Sequence, residues 1–432
     1  MIDRGRALSL AALALVLALA YGIWYAYGVF MVVLLQEFGW SRSVLAGAFS
    51  VFTLVHGLVN PLIGMLCDRV RPERLVAAGG ATLGLALWAN STIDSPWELY
   101  LSFGVFTAVA VAACGWVPAV IQVQRRFQDR MGLALGIVSS GVGVGMLVVV
   151  PLCQLLIEAF GWRTAFRVLG CSCVVLIVPA ALYLLHAASG RAGSHRPVPV
   201  APKARESRQS RERNATAIAS LTLREAMRTA PFWLIMAMYF FGSLSSQTLH
   251  VHQVAYLADH GIAVMVAASV VGVVGGASIV GKIGGGWLSD RVEREFVFVG
   301  GIAIMVLSVG ALAAVGARPT QWGAYGYALL LGLGYSVTAA LTPALTSDRF
   351  GGSHFGAILG AGMFSGALGG ALGPWLAGWQ FDLTGSYALS FMVVAACGAI
   401  AGVCAWMARS LRIRALHGPA TAGPGQGGKT GP

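Results

Sequence analysis

Gly64-Met65-Leu66-Cys67-Asp68-Arg69 and Gly286-Trp287-Leu288-Ser289-Asp290-Arg291 are one six-residue pattern written twice, 222 residues apart, each time at the end of a long apolar run. Working outward, Asp129-Arg130 returns as Asp348-Arg349 at an offset of 219. Gly141 and Gly366 lie 225 apart in glycine-rich runs, and Pro151 and Pro374 lie 223 apart. Near-equal offsets at four places indicate a unit of about half the chain repeated in parallel, which in an apolar chain is the mark of a two-bundle membrane fold.

The chain between these markers is 57% hydrophobic and 11% charged, with a mean hydropathy of +0.75. A soluble domain of that composition would expose large apolar patches. A helix crosses the hydrocarbon layer in about 20 residues. Twelve runs approach that length: 8–35, 43–66, 74–93, 97–122, 132–157, 168–186, 231–257, 263–289, 296–316, 321–345, 355–379 and 386–408. Hydrocarbon cannot satisfy open backbone groups, so these runs are expected as helices, the β-branched Val148-Val149-Val150 included. The segment from Leu8 resembles a signal-peptide core, but the apolar run continues to about Leu35 and reads as a retained first span.

The predicted fold class is therefore an all-α membrane protein of twelve transmembrane helices in two six-helix bundles. Residues 1–186 form the first bundle and residues 231–408 the second. A linker rich in Arg, Ser, Pro and Ala spans 187–230, with a short surface helix expected near Leu221 to Met227, and a tail spans 409–432.

Net charge is +12, from 29 Lys and Arg against 17 Asp and Glu. In a soluble protein this would suggest nucleic acid, but here the basic residues have a topological distribution. With the N-terminus inside, 24 of them fall in cytoplasmic segments, Arg42, Arg163, Arg167 and Arg318 fall on the other face, and Lys282 lies within a span. That asymmetry puts both termini in the cytoplasm. The seven cysteines are scattered through apolar runs without ligand spacing and read as buried small hydrophobes.

Together, the paired Gly-x-x-x-Asp-Arg loops resemble the signature of the major facilitator superfamily. Within it the text resembles bacterial monocarboxylate porters and oxalate/formate antiporters over roughly residues 8 to 408. The matching residues are Arg130-Met131-Gly132-Leu133-Ala134-Leu135-Gly136-Ile137, Ser140-Gly141-Val142-Gly143, Gly161-Trp162-Arg163, Gly373-Pro374 and Asp382-Leu383-Thr384-Gly385-Ser386-Tyr387. The loops also make physical sense alone, because a carboxylate at a helix end can pair with basic groups or with a neighbouring helix N-terminus. Asp68, Arg69, Asp129, Arg130, Asp290, Arg291, Asp348 and Arg349 are expected to form a gate whose contacts hold when the cytoplasmic side is shut. Anchoring of surface loops is the alternative. The glycines of spans 5, 8 and 11, densest at Gly281, Gly284, Gly285 and Gly286, are expected to let helices approach and slide.

The most informative single residue is Lys282. It stands eight residues before Asp290, about 12 Å up an otherwise apolar helix. The resemblance implies that a basic residue four positions before the glycine of Gly-x-x-x-Asp binds the substrate carboxylate, and here that position, four before Gly286, is Lys282. A lysine snorkelling to headgroups is the plainer alternative. Ser278 stands where some members of that group carry an aspartate for proton coupling. Lysine also lacks the planar fork of arginine, so the carboxylate would lean on neighbouring donors. The resemblance to oxalate/formate antiporters implies a second basic residue in span 11, whereas the run Phe355 to Trp379 contains no Lys, Arg or His, which favours one carboxylate over two unless a histidine supplies the second charge.

Weaker substrate candidates are His56 and Asn60 in span 2, Gln247 and His250 in span 7, the aromatics Tyr21, Trp24 and Tyr25 of span 1, and Trp116 of span 4. Gly28, Pro61 and Pro118 are expected to mark local bends. For each candidate, ordinary helix packing is the competing account.

The chain is thus expected to carry a small organic anion, a monocarboxylate, by alternating access, with a proton or counter-anion as coupling partner and membrane lipid as surroundings. Neither a cofactor nor a nucleic-acid partner is implied, no constellation calls for enzymatic chemistry, and a monomer in the bacterial inner membrane is expected. The alternatives are an exporter of hydrophobic or cationic compounds and a membrane sensor built on a transporter scaffold.

Overall fold

The computed structural model describes residues 4–127, 131–192, 221–350 and 354–416. Asp129 and Arg130, residues 193–220 of the linker and residues 417–432 of the tail lie outside them. Twelve long helical segments run through the described residues: α1 Arg4–Phe38, α2 Arg42–Arg69, α3 Pro72–Asn90, α4 Pro96–Arg126, α5 Met131–Phe160 and α6 Trp162–Ala192, then α7 Ala230–Asp259, α8 Val264–Ser289, α9 Arg294–Ala317, α10 Gln321–Phe350, α11 Phe355–Thr384 and α12 Ala388–Leu416. Ten of them are long and apolar enough on their own to cross a membrane. The other two are α3 and α7. Helix α3 has 19 residues, with Glu73, Arg74 and Asn90 at its ends. Helix α7 carries Ser243, Ser246, Gln247, Thr248, His250, His252 and Gln253 along its middle, because it lines the interior described below.

Local chemistry decides where these helices start, break and stop. Ser41 caps α2, its hydroxyl accepting from the Val44 N–H at 3.3 Å. Gly385, with φ +67°, closes α11 in the left-handed conformation that glycine adopts at least cost. In α4 the stretch Tyr100–Thr107 is wound as a π-helix, and the Thr107 hydroxyl donates to the Ser102 carbonyl.

Of the three positions expected to bend, only the α4 position interrupts its helix. The break falls at Gly115, three residues before Pro118, where the missing N–H and the ring of proline spoil the preceding turn. Helix α2 continues through Pro61 and α1 through Gly28. Gly28 instead lets α1 approach the α7 backbone, since a Cβ there would lie 3.2 Å from the Val251 carbonyl oxygen. The surface helix expected near Leu221 to Met227 is one turn, Leu223–Ala226, with Thr222 and Glu225 forming a reciprocal capping box. Donation from the Thr222 N–H and hydroxyl holds the Glu225 carboxyl below its usual range.

Packing repeats between the halves. Helix α1 packs on α5 as α7 packs on α11, and α3 on α6 as α9 on α12. The halves meet along two seams related by the same exchange, α2 with α11 and α5 with α8. Gly141 and Gly145 lie against the Ala14 and Ala18 carbonyls of α1, while Gly369 and Gly373 lie against the Phe240 and Leu244 carbonyls of α7. The structural counterpart of Gly141 is therefore Gly369, and Gly366 sits in looser contact with Tyr239. Gly143 and Gly275 face each other's backbone across the α5–α8 seam. Of the dense glycines of α8, Gly281 and Gly285 pack on α10 at Ser336 and Val337, whereas nothing lies close to Gly284 or Gly286. Replacing Gly145 with valine would drive a side chain into the Ala18 backbone, which cannot retreat as a flexible side chain would. The expected result is a loss of about 2 kcal/mol or more of bundle stability, read as a lower melting temperature and poorer yield of monodisperse protein in detergent.

On the face that carries both termini, each half is tied by a matching ion pair. Arg126 meets Glu73 at 2.5 Å, both side chains 8% exposed, and Arg349 meets Glu295 at 3.7 Å. These residues stand 223 and 222 apart, a further repeat. Arg349 is thus the counterpart of Arg126 rather than of Arg130.

Candidate substrate-binding site

The opposite face is shut by a contact between the halves. The Arg42 guanidinium at the start of α2 donates to both Asp259 carboxylate oxygens at the end of α7, at 2.6 and 2.8 Å. It also donates to the Tyr387 hydroxyl at 2.7 Å and stacks 3.9 Å from the Phe381 ring centre. Asp382, near the end of α11, accepts from the backbone N–H groups of Arg42 and Ser43, each at 2.9 Å. A carboxylate of one half thereby caps a helix of the other, where the helix dipole favours negative charge. His252 completes the cluster, with Nε2–H donating to the Pro374 carbonyl and Nδ1 accepting from Tyr387, both at 2.8 Å. Ser50 reinforces the α2–α11 seam by donating to the Ala371 carbonyl at 2.5 Å.

Beneath this closure a cavity of about 510 Å³ lies between the halves, walled by α1, α2, α4, α7, α9, α10 and α11. It reaches from His56 and His250 to Gly64, near the end of α2, and Gly356, at the start of α11, so it extends toward the face of the termini. Its floor is a continuous series of rings crossing from one half to the other. His56 sits 4.7 Å from Trp24, Trp24 6.3 Å from Tyr25, Tyr25 4.9 Å from His250, and His250 4.7 Å from Tyr335.

Each histidine is pinned within its own helix. The Asn60 amide nitrogen meets His56 Nδ1 at 3.2 Å, and His250 Nδ1 meets the Ser246 carbonyl at 2.7 Å. Among the described residues, buried polar atoms without a hydrogen-bond partner remain on six side chains that line the cavity: Trp24 Nε1, His56 Nε2, Asn60 Oδ1, Tyr239 Oη, Gln247 Oε1 and His250 Nε2. An unmet buried polar group costs about 1–3 kcal/mol, so a cluster of them around one space marks where hydrogen bonds remain to be made.

Of the nine residues singled out in sequence for substrate contact, Trp24, Tyr25, His56, Asn60, Gln247 and His250 line this cavity. Tyr21 stands behind it, stacked on Trp24 at 5.6 Å, and Trp116 packs partly buried against the Leu10 and Leu13 cluster. Lys282 is half-buried on α8 and is not among the lining residues. It lies seven residues after Gly275 and three after Ile279, which both meet α5 at Gly143, so it occupies the helix face turned toward that seam. Neither an ion pair nor a hydrogen bond to Lys282 occurs among the described residues.

Sequence reasoning missed the polar stripe of Tyr335, Thr338 and Thr342 on α10 and the serines Ser243 and Ser246 on α7. Their spacing of three and four was the available signal. The Thr338 and Thr342 hydroxyls bond back to their own helix, which makes them tolerable in an apolar span.

Of the described candidate gate residues, Asp68, Arg69, Asp290, Arg291 and Asp348 are exposed on the face of the termini, and Arg349 is half-buried. Asp68 and Arg69 project from the end of α2, and Arg291 lies over the Trp287 ring of its own helix at 3.7 Å. Asp348 pairs with Arg294 at 2.6 Å within the second half, and Asp290 is exposed. Among the described residues, no ion pair joins the halves on this face.

The family model of the Major Facilitator Superfamily matches residues 13–374 and 253–429. Monocarboxylate transporter 12 of Mus musculus is 27% identical over 390 residues, covering 84% of this chain and 77% of that protein. An uncharacterized MFS-type transporter, YhjX of Escherichia coli (strain K12), is 24% identical over 335 residues, 77% of this chain and 78% of that one. The fold is similar to the crystal structure of a bacterial homolog of the human lysosomal transporter Spinster in its inward-facing, unoccupied conformation, with a TM-score of 0.69 at 16% identity over 95% of this chain and 98% of that one. With its two six-helix halves, a cavity between them and one face sealed, this multi-pass membrane protein is a secondary transporter rather than an enzyme, and it belongs to the major facilitator superfamily.

Proposed function

We propose that the chain carries a small organic anion, a monocarboxylate, across the inner membrane by alternating access, with both termini in the cytoplasm and the cavity reaching the cytoplasmic face in this state. The observation that carries the reading is Lys282, a half-buried cation well inside α8, on the face toward the other half, with no counter-ion among the described residues. A charge held there needs water or an anion nearby. The cavity comes nearest this part of α8 at Tyr335. The Tyr335 ring lines the space, and its hydroxyl reaches Met146 of α5 at 3.6 Å beside Ser278, one turn before Lys282. Mouse and rat relatives named monocarboxylate transporters agree in substrate class.

The cycle follows from the two faces. With the Arg42 cluster closed, the anion meets the cytoplasm, and release of that cluster while the Asp68–Arg69, Asp129–Arg130 and Asp290–Arg291 loops dock would turn the cavity outward. No covalent step is involved. The aromatic wall selects the apolar end of the substrate, and Lys282 with nearby N–H donors holds the carboxylate.

The direct test is counterflow in proteoliposomes with labelled monocarboxylates, dicarboxylates and lipophilic cations. Exchange of monocarboxylates that cations do not inhibit is expected. Flux of cations without carboxylate flux would instead establish an exporter of cationic compounds.

A further inference from the structure

Away from the central cavity, a second space of about 310 Å³ opens on the membrane-facing side of the second half, in the cleft between α11 and α12 with α7 as its floor. Leu244, Gly373, Ala377 and Val394 form its buried base. Trp379, Leu383, Leu389 and Val393 stand at its rim, 40% to 67% exposed. The cleft is a packing difference between the halves, since α11 and α12 touch less closely than α5 and α6. Four residues after Gly145, Val149 fills the space against Gly22; four after its counterpart Gly373 stands the smaller Ala377.

The lining says what can enter. Its three hydroxyls all donate within the protein: Thr248 to the Leu244 carbonyl at 2.7 Å, Thr384 to the Gln380 carbonyl at 2.8 Å, and Ser390 to Gln380 Oε1 at 2.6 Å. The slot therefore asks its occupant for no hydrogen bond, and water gains nothing by entering. From Gly373 in the middle of α11 to Thr384 at its end, the slot runs about 16 Å along the helix, close to the roughly 15 Å of hydrocarbon in one leaflet. Spread over that length, the volume gives a cross-section of roughly 20 Å², enough for one polymethylene chain and far below the roughly 80 Å² of a helix 10 Å across.

We infer that the slot holds one acyl chain of a phospholipid from the leaflet on the shut side, and that this chain steadies α11 behind the Arg42 cluster. The stretch of α11 that walls the slot also makes the closure. Pro374, next to Gly373, accepts from His252, and Asp382, next to Leu383, caps α2. Tyr387, two residues before Leu389, accepts from Arg42. An unfilled slot leaves one side of this stretch without contacts, so α11 can lean into it and away from α2. A chain in the slot packs that side and favours the shut face.

The test places the protein in phosphatidylethanolamine–phosphatidylglycerol vesicles that contain a phospholipid with a diazirine halfway along one acyl chain. After irradiation, labelling at Trp379, Leu383, Leu389 and Val393 is expected to exceed at least fivefold that at Leu152 and Leu155, which are also exposed and lie at the corresponding depth of α5. Val393→Trp, which fills the slot from its rim, brings the slot labelling down to the level of α5, whereas Leu372→Trp, on the exposed face of α11 outside the slot, leaves it high. In detergent, adding phospholipid raises the ratio of shut to open distances between spin labels on the loops at 39–41 and 261–263 at least threefold in the wild type and leaves it unchanged in Val393→Trp. Even labelling of α5 and the slot overturns the proposal, as does undiminished slot labelling in Val393→Trp or a cross-linked dimer joined through the slot. Slot labelling without the shift in distances overturns the steadying of α11. Should Val393→Trp fail to insert, the wild-type labelling pattern and distances decide.

Discussion

Replacing Lys282 with alanine is expected to reduce carboxylate counterflow at least 100-fold, or below detection, while the protein still inserts and folds. Removing one partner of a desolvated charge pair costs roughly 2–5 kcal/mol, and 2.7 kcal/mol is already a factor of about 100. Folding should survive because the ammonium makes no ion pair or hydrogen bond among the described residues and the side chain is only half-buried. Lys282→Arg should retain measurable exchange, since a second cationic head replaces the first, but with altered selectivity because a planar fork orients a carboxylate where a point charge does not. Wild-type affinity in the alanine variant would remove the central element of the proposed mechanism and return Lys282 to the role of a snorkelling surface lysine.

The second large effect concerns the shut face. Arg42→Ala deletes the bidentate contact to Asp259 and the bond to Tyr387, and strips the stacking on Phe381. Asp259 is 36% exposed at its side chain, so solvent returns part of the loss. A net penalty of about 2–3 kcal/mol on the closed state is reasonable, which shifts the balance between open and closed by roughly 30- to 150-fold. Spin labels on the loops at 39–41 and 261–263 should report a longer distance population in the variant, with reduced exchange because one state is now disfavoured. An unchanged distance distribution would mean that the seam glycines and apolar packing, not Arg42, hold this face shut.

How much of this was legible in the sequence divides along chain distance. The helices, their number and the duplication follow from local composition and from a pattern written twice, and the structure keeps them. Six of the nine substrate candidates line the cavity because polar and aromatic residues in an apolar span have few other places to go. The latch was invisible for the opposite reason. Its partners are 217 and 340 residues apart, and Arg42 alone is one more basic residue at a helix end.

Other misses have the same origin. Gly28 and Gly141 were read within their own helices or by constant offset, whereas their importance lies in which backbone they let come near, and that belongs to packing. Glu73 with Arg126 and Glu295 with Arg349 carried a readable offset of 222 and 223, yet isolated Glu and Arg at span ends resemble ordinary boundary charges until the contact is seen. Lys282 was found by its charge in an apolar run and by its place four residues before Gly286, and its position beside the α5–α8 seam comes only from knowing what Gly275 and Ile279 touch.

The cap that Asp382 places on α2 makes the shut mouth sensitive to water. While the mouth is shut, the first two N–H groups of that helix are completed by a carboxylate of the other half. When it opens, those donors, the carboxylate and the Arg42 guanidinium must all be hydrated at once. Opening therefore draws a shell of solvent into the seam, and closing squeezes it out. The two orientations of the transporter differ in bound water as well as in shape, which makes osmotic stress, like substrate, a quantity that shifts the balance between them.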